Sequence, residues 1–118
     1  MPGTFQSITP SELNRIMRSK PHSSYMLIDL RESYVYQTEH INGALNIDYD
    51  TFMQMRDYEK FVLSGKMIIL YCERGGRSVY AAKQLAQYVQ NRNNKGMNSS
   101  KTVVCHLLGG MTAYRKYR

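Results

Sequence analysis

The segment Met67-Ile68-Ile69-Leu70-Tyr71-Cys72-Glu73-Arg74-Gly75-Gly76-Arg77-Ser78 ends an apolar run on a thiol and follows it with a short basic loop. An amphipathic helical pattern begins at Ser78 and runs to Gln90, with Val79, Ala82, Leu85, Ala86 and Val89 on one face. Cys72 is thereby expected at the mouth of a strand, beside a helix N-terminus and two arginines. These conditions favour a thiolate nucleophile. Gly75 and Gly76 allow backbone angles closed to other residues, so successive N–H groups of the loop can turn inward as an anion-binding nest. Arg74 and Arg77 add full positive charge, and Glu73 is the one opposing charge nearby.

Charge along the chain is uneven. The net charge is +7, but residues 1–59 carry −3 and residues 60–118 carry +10, with Glu73 the only acid in the second half. The cysteine loop lies in the basic half, which points to an anionic substrate. A solvated basic surface accounts for many of the lysines equally well. Zinc-ligand spacing, a helix-turn-helix pattern and an aromatic RNA-binding motif are all missing from the sequence, so no nucleic-acid partner and no metal are expected. The longest apolar run, Met67 to Cys72, is strand-sized, so no membrane partner is expected either. The first residues lack the basic and apolar regions of a secretion signal, which makes a cytoplasmic location the expectation. The two cysteines, Cys72 and Cys105, are then expected as free thiols. Cys105, inside a Val-Val-Cys run, is expected to be buried and inert.

A length of 118 residues, 42% of them hydrophobic, is enough for one domain with its own core, assigned here to residues 1–118. Thr9-Pro10-Ser11-Glu12 carries a helix start, with Thr9 as N-cap and Glu12 closing a capping box. Leu13, Ile16 and Met17 supply that helix's buried stripe. Tyr25 to Asp29 is a nearly continuous apolar run, the pattern of a strand covered on both faces. A short helix is predicted over Glu32 to Glu39, a turn at His40 to Ala44, a short strand from Leu45 to Ile47, and helix in two pieces from Thr51 to Leu63. Met67 to Tyr71 is the central strand. Asn91 to Lys101 reads as a surface loop, Thr102 to Leu107 as the last strand, and Gly109-Gly110 as the turn into a final helix. Alternating strands and helices predict an α/β fold, a central parallel sheet of about five strands with helices on both faces. Ligands of such sheets bind outside the carboxyl ends of the strands, where Asp29, Cys72 and the Leu108-Gly109-Gly110 turn are all expected.

From Cys72 to Arg77 the spacing is Cys-x4-Arg, one residue shorter than the Cys-x5-Arg loop that wraps a phosphate in protein tyrosine phosphatases. A tighter ring of N–H groups suits one sulfur atom carried on the cysteine. At this point the chain resembles the rhodanese-homology family of sulfurtransferases, over roughly residues 5–117. Leu27-Ile28-Asp29-Leu30-Arg31-Glu32 matches the family's Asp-x-Arg motif, and His40-Ile41-Asn42-Gly43-Ala44 resembles its His-Ile-Pro-Gly-Ala turn. Tyr71 to Ser78 matches its active loop. Leu108-Gly109-Gly110 followed by Tyr114 resembles its closing Gly-Gly-x-x-x-Trp segment. Glu39, Asn42 and Tyr114 depart from the residues usual there (Gly, Pro and Trp).

The resemblance implies a rhodanese-like fold and a two-step transfer through a persulfide on Cys72, with no cofactor. The backbone of Glu73, Arg74, Gly75, Gly76, Arg77 and Ser78 would hold the persulfide anion, and Arg74 and Arg77 would draw in a donor. Asp29 and Arg31 would form a hydrogen-bonded network behind the loop. The implied partners are a small anionic sulfur donor such as thiosulfate and a thiol or cyanide acceptor, with a partner protein as a further source or sink. Two other readings stay open: a sulfur-carrier or protein-interaction module with little turnover, and a phosphatase or arsenate reductase on the same fold.

Overall fold

The structure, a computed structural model, describes residues 4–96 and 102–118. Its elements run β1 Gln6–Ile8, α1 Pro10–Ser19, a short 3-10 turn His22–Ser24, β2 Tyr25–Asp29, α2 Ser33–Thr38 and β3 Leu45–Asn46. They continue with α3 Tyr49–Gln54, α4 Glu59–Leu63, β4 Met67–Tyr71, α5 Gly76–Asn94, β5 Val103–Leu107 and α6 Gly110–Tyr117. All strand pairings are parallel and the order is β1-β5-β4-β2-β3, which puts the cysteine's strand in the middle. The expected parallel α/β sheet is thus the observed one, and the predicted capping box at Thr9 and Glu12 forms.

Side chains alternate across a strand, and the alternation on β4 decides where the thiol points. Ile68, Leu70 and Cys72 pack into the face covered by α3, α4 and α5, with Phe52, Phe61, Ala82 and Leu85. Ile69 and Tyr71 pack into the opposite face with Leu13 of α1 and Met111 of α6. Cys105 belongs to that second face. The two thiols therefore point to opposite sides of the sheet.

Two predicted details change. The long helix α5 starts at Gly76 rather than Ser78, because Gly75 takes a left-handed conformation (φ 91°) that lets the chain turn straight into the first helical residue. It also runs past Gln90 to Asn94, so the loop predicted from Asn91 is partly helix; residues 97–101 of it lie outside the described residues. The buried face of α5 is Ser78, Ala81, Ala82, Leu85, Ala86 and Val89, and Val79 is only half-buried. Among the described residues no helix is long and apolar enough to cross a membrane.

Candidate active site

Beyond Tyr71 the chain leaves the sheet and folds back over the thiol. Cys72 is 5% exposed, and its Sγ receives the Gly75 N–H at 3.2 Å and the Ser78 N–H at 3.3 Å. One donor comes from the loop and the other from the first turn of α5, where N–H groups have no helical partner and point outward. Backbone donors fixed by a turn and a helix need no reorganisation when negative charge arrives on the sulfur.

The other side of the loop rests on α6. The Met111 N–H donates to the Cys72 carbonyl and the Thr112 N–H to the Glu73 carbonyl, both at 2.9 Å. This approach requires Gly109 and Gly110, which adopt φ 73° and 59°. A Cβ on Gly110 would lie 2.4 Å from the Cys72 carbonyl oxygen. The Gly-Gly of the sequence is therefore the point where α6 touches the cysteine loop.

Charge at the loop is arranged differently from the sequence expectation. Glu73 does not confront the thiol as a free carboxylate. It pairs with Arg31 at 3.1 Å and with Arg115 at 2.7 Å, and accepts the Thr112 hydroxyl at 2.8 Å. Arg115, then Thr112 and Arg31, hold its carboxyl well below the usual range, at about 2. Arg115 also pairs with Glu39 at 2.7 Å, and Arg118 pairs with the other Glu39 oxygen. Glu39, one of the departures from the family pattern, thus joins the strap between the α2 end and α6.

Behind the loop, Asp29 and Arg31 meet as the resemblance implies. The guanidinium donates to both Asp29 oxygens, from Nε to Oδ1 at 3.1 Å and from Nη2 to Oδ2 at 2.9 Å, and at 2.6 Å to the Glu39 carbonyl. Both side chains are buried. Arg31 therefore connects β2, the Glu39 turn and the cysteine loop. Tyr71, also buried, closes this back wall: its hydroxyl accepts the Ile41 N–H at 3.1 Å. His40 is exposed, stacks on Tyr36 and bonds the Tyr36 carbonyl, so it serves its turn.

Arg74 and Arg77, expected side by side at the thiol, separate. Arg77 lies over the Tyr49 ring, 5.2 Å from its centroid, in a hollow of about 490 Å³ that also holds Glu32, Asp48 and Asp50. Arg74 lines a cleft of about 510 Å³ on the other flank, with Phe5, Val79 and Leu108. A third hollow, of about 370 Å³ near Arg18, His22 and Lys66, adjoins the amino ends of β2 and β4 and includes none of the loop residues.

Three residues near the loop were not picked out from the sequence: Thr112, Arg115 and His106. His106 is buried on the same face as Leu70, its register partner. Its Nδ1 lies 3.2 Å from Ser78 Oγ and its Nε2 3.0 Å from Ser7 Oγ. Burial pushes its pKa down. The strand alternation from Val104 would have placed it beside α5. Thr112 and Arg115, three apart on α6, had one signal: the lone acid of the basic half needs a cationic partner.

Comparison with known proteins agrees with this fold. The family model described as "Rhodanese-like domain" matches residues 9–117. A tRNA uridine(34) hydroxylase from Bdellovibrio bacteriovorus is 28% identical over 116 residues, 97% of this chain but 29% of its own length. The chain spans about a quarter of the length of the curated relatives it matches. Among solved structures, a rhodanese-related protein from Thermoplasma volcanium superposes with a TM-score of 0.70 at 18% identity, covering 96% of this chain and 93% of that one. An As-Sb reductase from Leishmania major superposes with 0.66 at 17% identity, covering 97% and 79%. At such identities the structural likeness speaks for the fold alone.

Proposed function

Because the chain belongs to the rhodanese-like domain family, we propose that it is a sulfurtransferase that carries a sulfane sulfur on Cys72. In the first half-reaction the Cys72 thiolate attacks the outer sulfur of a donor. With thiosulfate, the sulfur–sulfur bond breaks, sulfite leaves with the electron pair, and Cys72 keeps the outer sulfur as a persulfide anion. In the second, a nucleophile such as cyanide or a thiolate takes that sulfur and the electron pair returns to Cys72. This is covalent ping-pong catalysis.

The observation that carries this reading is the pair of N–H groups, from Gly75 and Ser78, aimed at one sulfur atom inside a Cys-x4-Arg loop. A persulfide's sulfur–sulfur bond of about 2.05 Å would carry the transferable atom off the buried Sγ. The loop charge also supports an anionic donor, since Glu73 is offset by Arg31 and Arg115 while Arg74 and Arg77 form no ion pair with a described residue. The short loop disfavours a phosphatase or arsenate reductase.

The test is transfer from thiosulfate to cyanide, together with intact-mass detection of one added sulfur. The wild-type chain gains the sulfur and Cys72→Ala does not. Turnover retained by Cys72→Ala overturns the reading. Activity on an aryl phosphate without persulfide favours the phosphatase alternative instead.

A further inference from the structure

Resting on the sulfur-transfer reading, we propose that His106 is a positioning residue of that reaction: through the Ser78 hydroxyl it fixes the two backbone N–H groups that face the Cys72 sulfur. His106 lies on β5, level with Ser7 of β1 on one side and Leu70 of β4 on the other. Side chains in register share a face of the sheet. Leu70 and Cys72 point to that face, the one α5 covers. The imidazole is buried there, with the Phe5 ring edge-on to it at 5.7 Å.

A buried imidazole needs partners for both nitrogens. Nε2 lies 3.0 Å from Ser7 Oγ, and Nδ1 lies 3.2 Å from Ser78 Oγ. Ser78 Oγ is also 3.3 Å from the Gly75 carbonyl oxygen. A carbonyl only accepts, and a hydroxyl has one proton to give. One arrangement therefore satisfies all three contacts. The Ser7 hydroxyl donates to Nε2, the Nδ1–H donates to Ser78 Oγ, and the Ser78 hydroxyl donates to the Gly75 carbonyl. This arrangement uses the neutral ring, the form that burial favours.

The chain of bonds ends on the two residues that matter to the sulfur. Gly75 and Ser78 supply the N–H groups at 3.2 Å and 3.3 Å from Cys72 Sγ. The Ser78 hydroxyl clasps one to the other across the turn into α5, and His106 holds that hydroxyl in place. Charge on the sulfur is stabilised only by donors already aimed at it, so the clasp acts on rate. Val104, Cys105 and Leu107 beside it are apolar, and packing alone asks for no imidazole at this position. The ring bonds Ser78 and Ser7 rather than the sulfur, so its part is positioning and not proton transfer.

The experiment mixes the full chain with thiosulfate, quenches at set times and follows persulfide formation by intact mass. Each variant then has a saturating rate constant and a half-saturating concentration. His106→Asn puts an amide N–H near the Nδ1 position, whereas His106→Gln reaches toward Nε2 and leaves Ser78 without its donor. His106→Gln lowers the saturating rate constant about tenfold, the effect of one lost hydrogen bond, with half-saturation unchanged. His106→Asn stays within about threefold of wild type. Ser78→Ala keeps its N–H and loses the hydroxyl; it falls as far as His106→Gln, and the double variant falls no further. A histidine that merely fills the core gives losses that multiply in the double variant and an Asn substitution no better than Gln. Either result at matched folded fraction, or a full rate in His106→Gln, overturns the positioning role. Should His106→Gln fail to fold, Ser7→Ala tests the chain of bonds from its exposed end. A fall of about threefold that vanishes in the Ser78→Ala background supports the role, and a wild-type rate overturns it. No persulfide on the wild type overturns the sulfur-transfer reading itself, so the two failures are distinguishable.

Discussion

Cys105 lies on β5 and Cys72 just past the end of the neighbouring β4, and both are buried, at 0% and 5% exposure, yet backbone donors converge on the Cys72 sulfur. Cys105 sits in mid-strand, facing α1 and α6 among Leu13, Leu107 and Met111. Burial pushes its thiol up to about 11, with Glu12 adding to the effect. Cys72 lies one residue past the end of β4, where the ladder stops and backbone donors are free to converge on its sulfur. Burial alone does not set thiol reactivity. What faces the sulfur does, and that depends on whether the residue is inside the strand or just beyond it.

The largest expected effect separates the two thiols outright. Cys72→Ala reduces thiosulfate-to-cyanide transfer to background while the fold persists, because a small side chain replaces a small one at the sheet edge. Cys105→Ala keeps transfer within a few-fold of wild type. Transfer lost equally in both variants, measured at matched folded fraction, would erase the distinction.

A second effect acts on the Cys72 side through backbone. Gly110→Ala puts a Cβ 2.4 Å from the Cys72 carbonyl and forces a side chain onto φ 59°. The overpacking and the left-handed strain together are expected to cost about 2–4 kcal/mol. A urea midpoint within error of wild type would mean that α6 does not press on the loop as described.

Much of this was readable in advance, and the reasons are local. Tyr25–Asp29 and Met67–Tyr71 are nearly continuous apolar runs of strand length, as strands covered on both faces require. The loop was readable because Gly75, Gly76, the thiol and the helix start are contiguous. What was hidden is held by distance in sequence. Glu73 finds Thr112 and Arg115 about forty residues away, and spacing rules reach only one or two turns. His106 looked like one polar residue in an apolar strand, and its partners Ser7 and Ser78 come from a different strand and a helix. The separation of Arg74 from Arg77 followed from α5 starting early, which no periodicity announces.

The third prediction sharpens the comparison from the Cys105 side. Its folded-state thiol is raised to about 11, against about 8.5 in an unfolded chain. The neutral thiol therefore stabilises the fold below pH 8.5, and that contribution is lost as the pH climbs to 11, because the unfolded state ionises first. The stability advantage of wild type over Cys105→Ala is expected to shrink by about 2–3 kcal/mol across this window. A gap independent of pH would place Cys105 in a more polar setting than its neighbours provide.

The smallest effect concerns the acid beside the nucleophile. Glu73 has its carboxyl lowered to about 2 by Arg115, Thr112 and Arg31, so it favours the fold while ionised. The sign follows: its contribution is full above the unfolded carboxylate's pKa of about 4.3 and disappears as the pH falls toward 2. Its side chain is 40% exposed, so solvent screening reduces the contribution to about 1 kcal/mol. Glu73→Gln is expected to lose that amount at pH 7 and to converge on wild type by pH 2–3 in chemical denaturation. Because the same carboxylate ties the loop to α6 and to β2, the variant also loosens the donors around Cys72, and transfer falls a few-fold with Cys105 untouched. A variant that lost stability but kept full transfer would show that the strap holds α6 in place without shaping the sulfur's cradle.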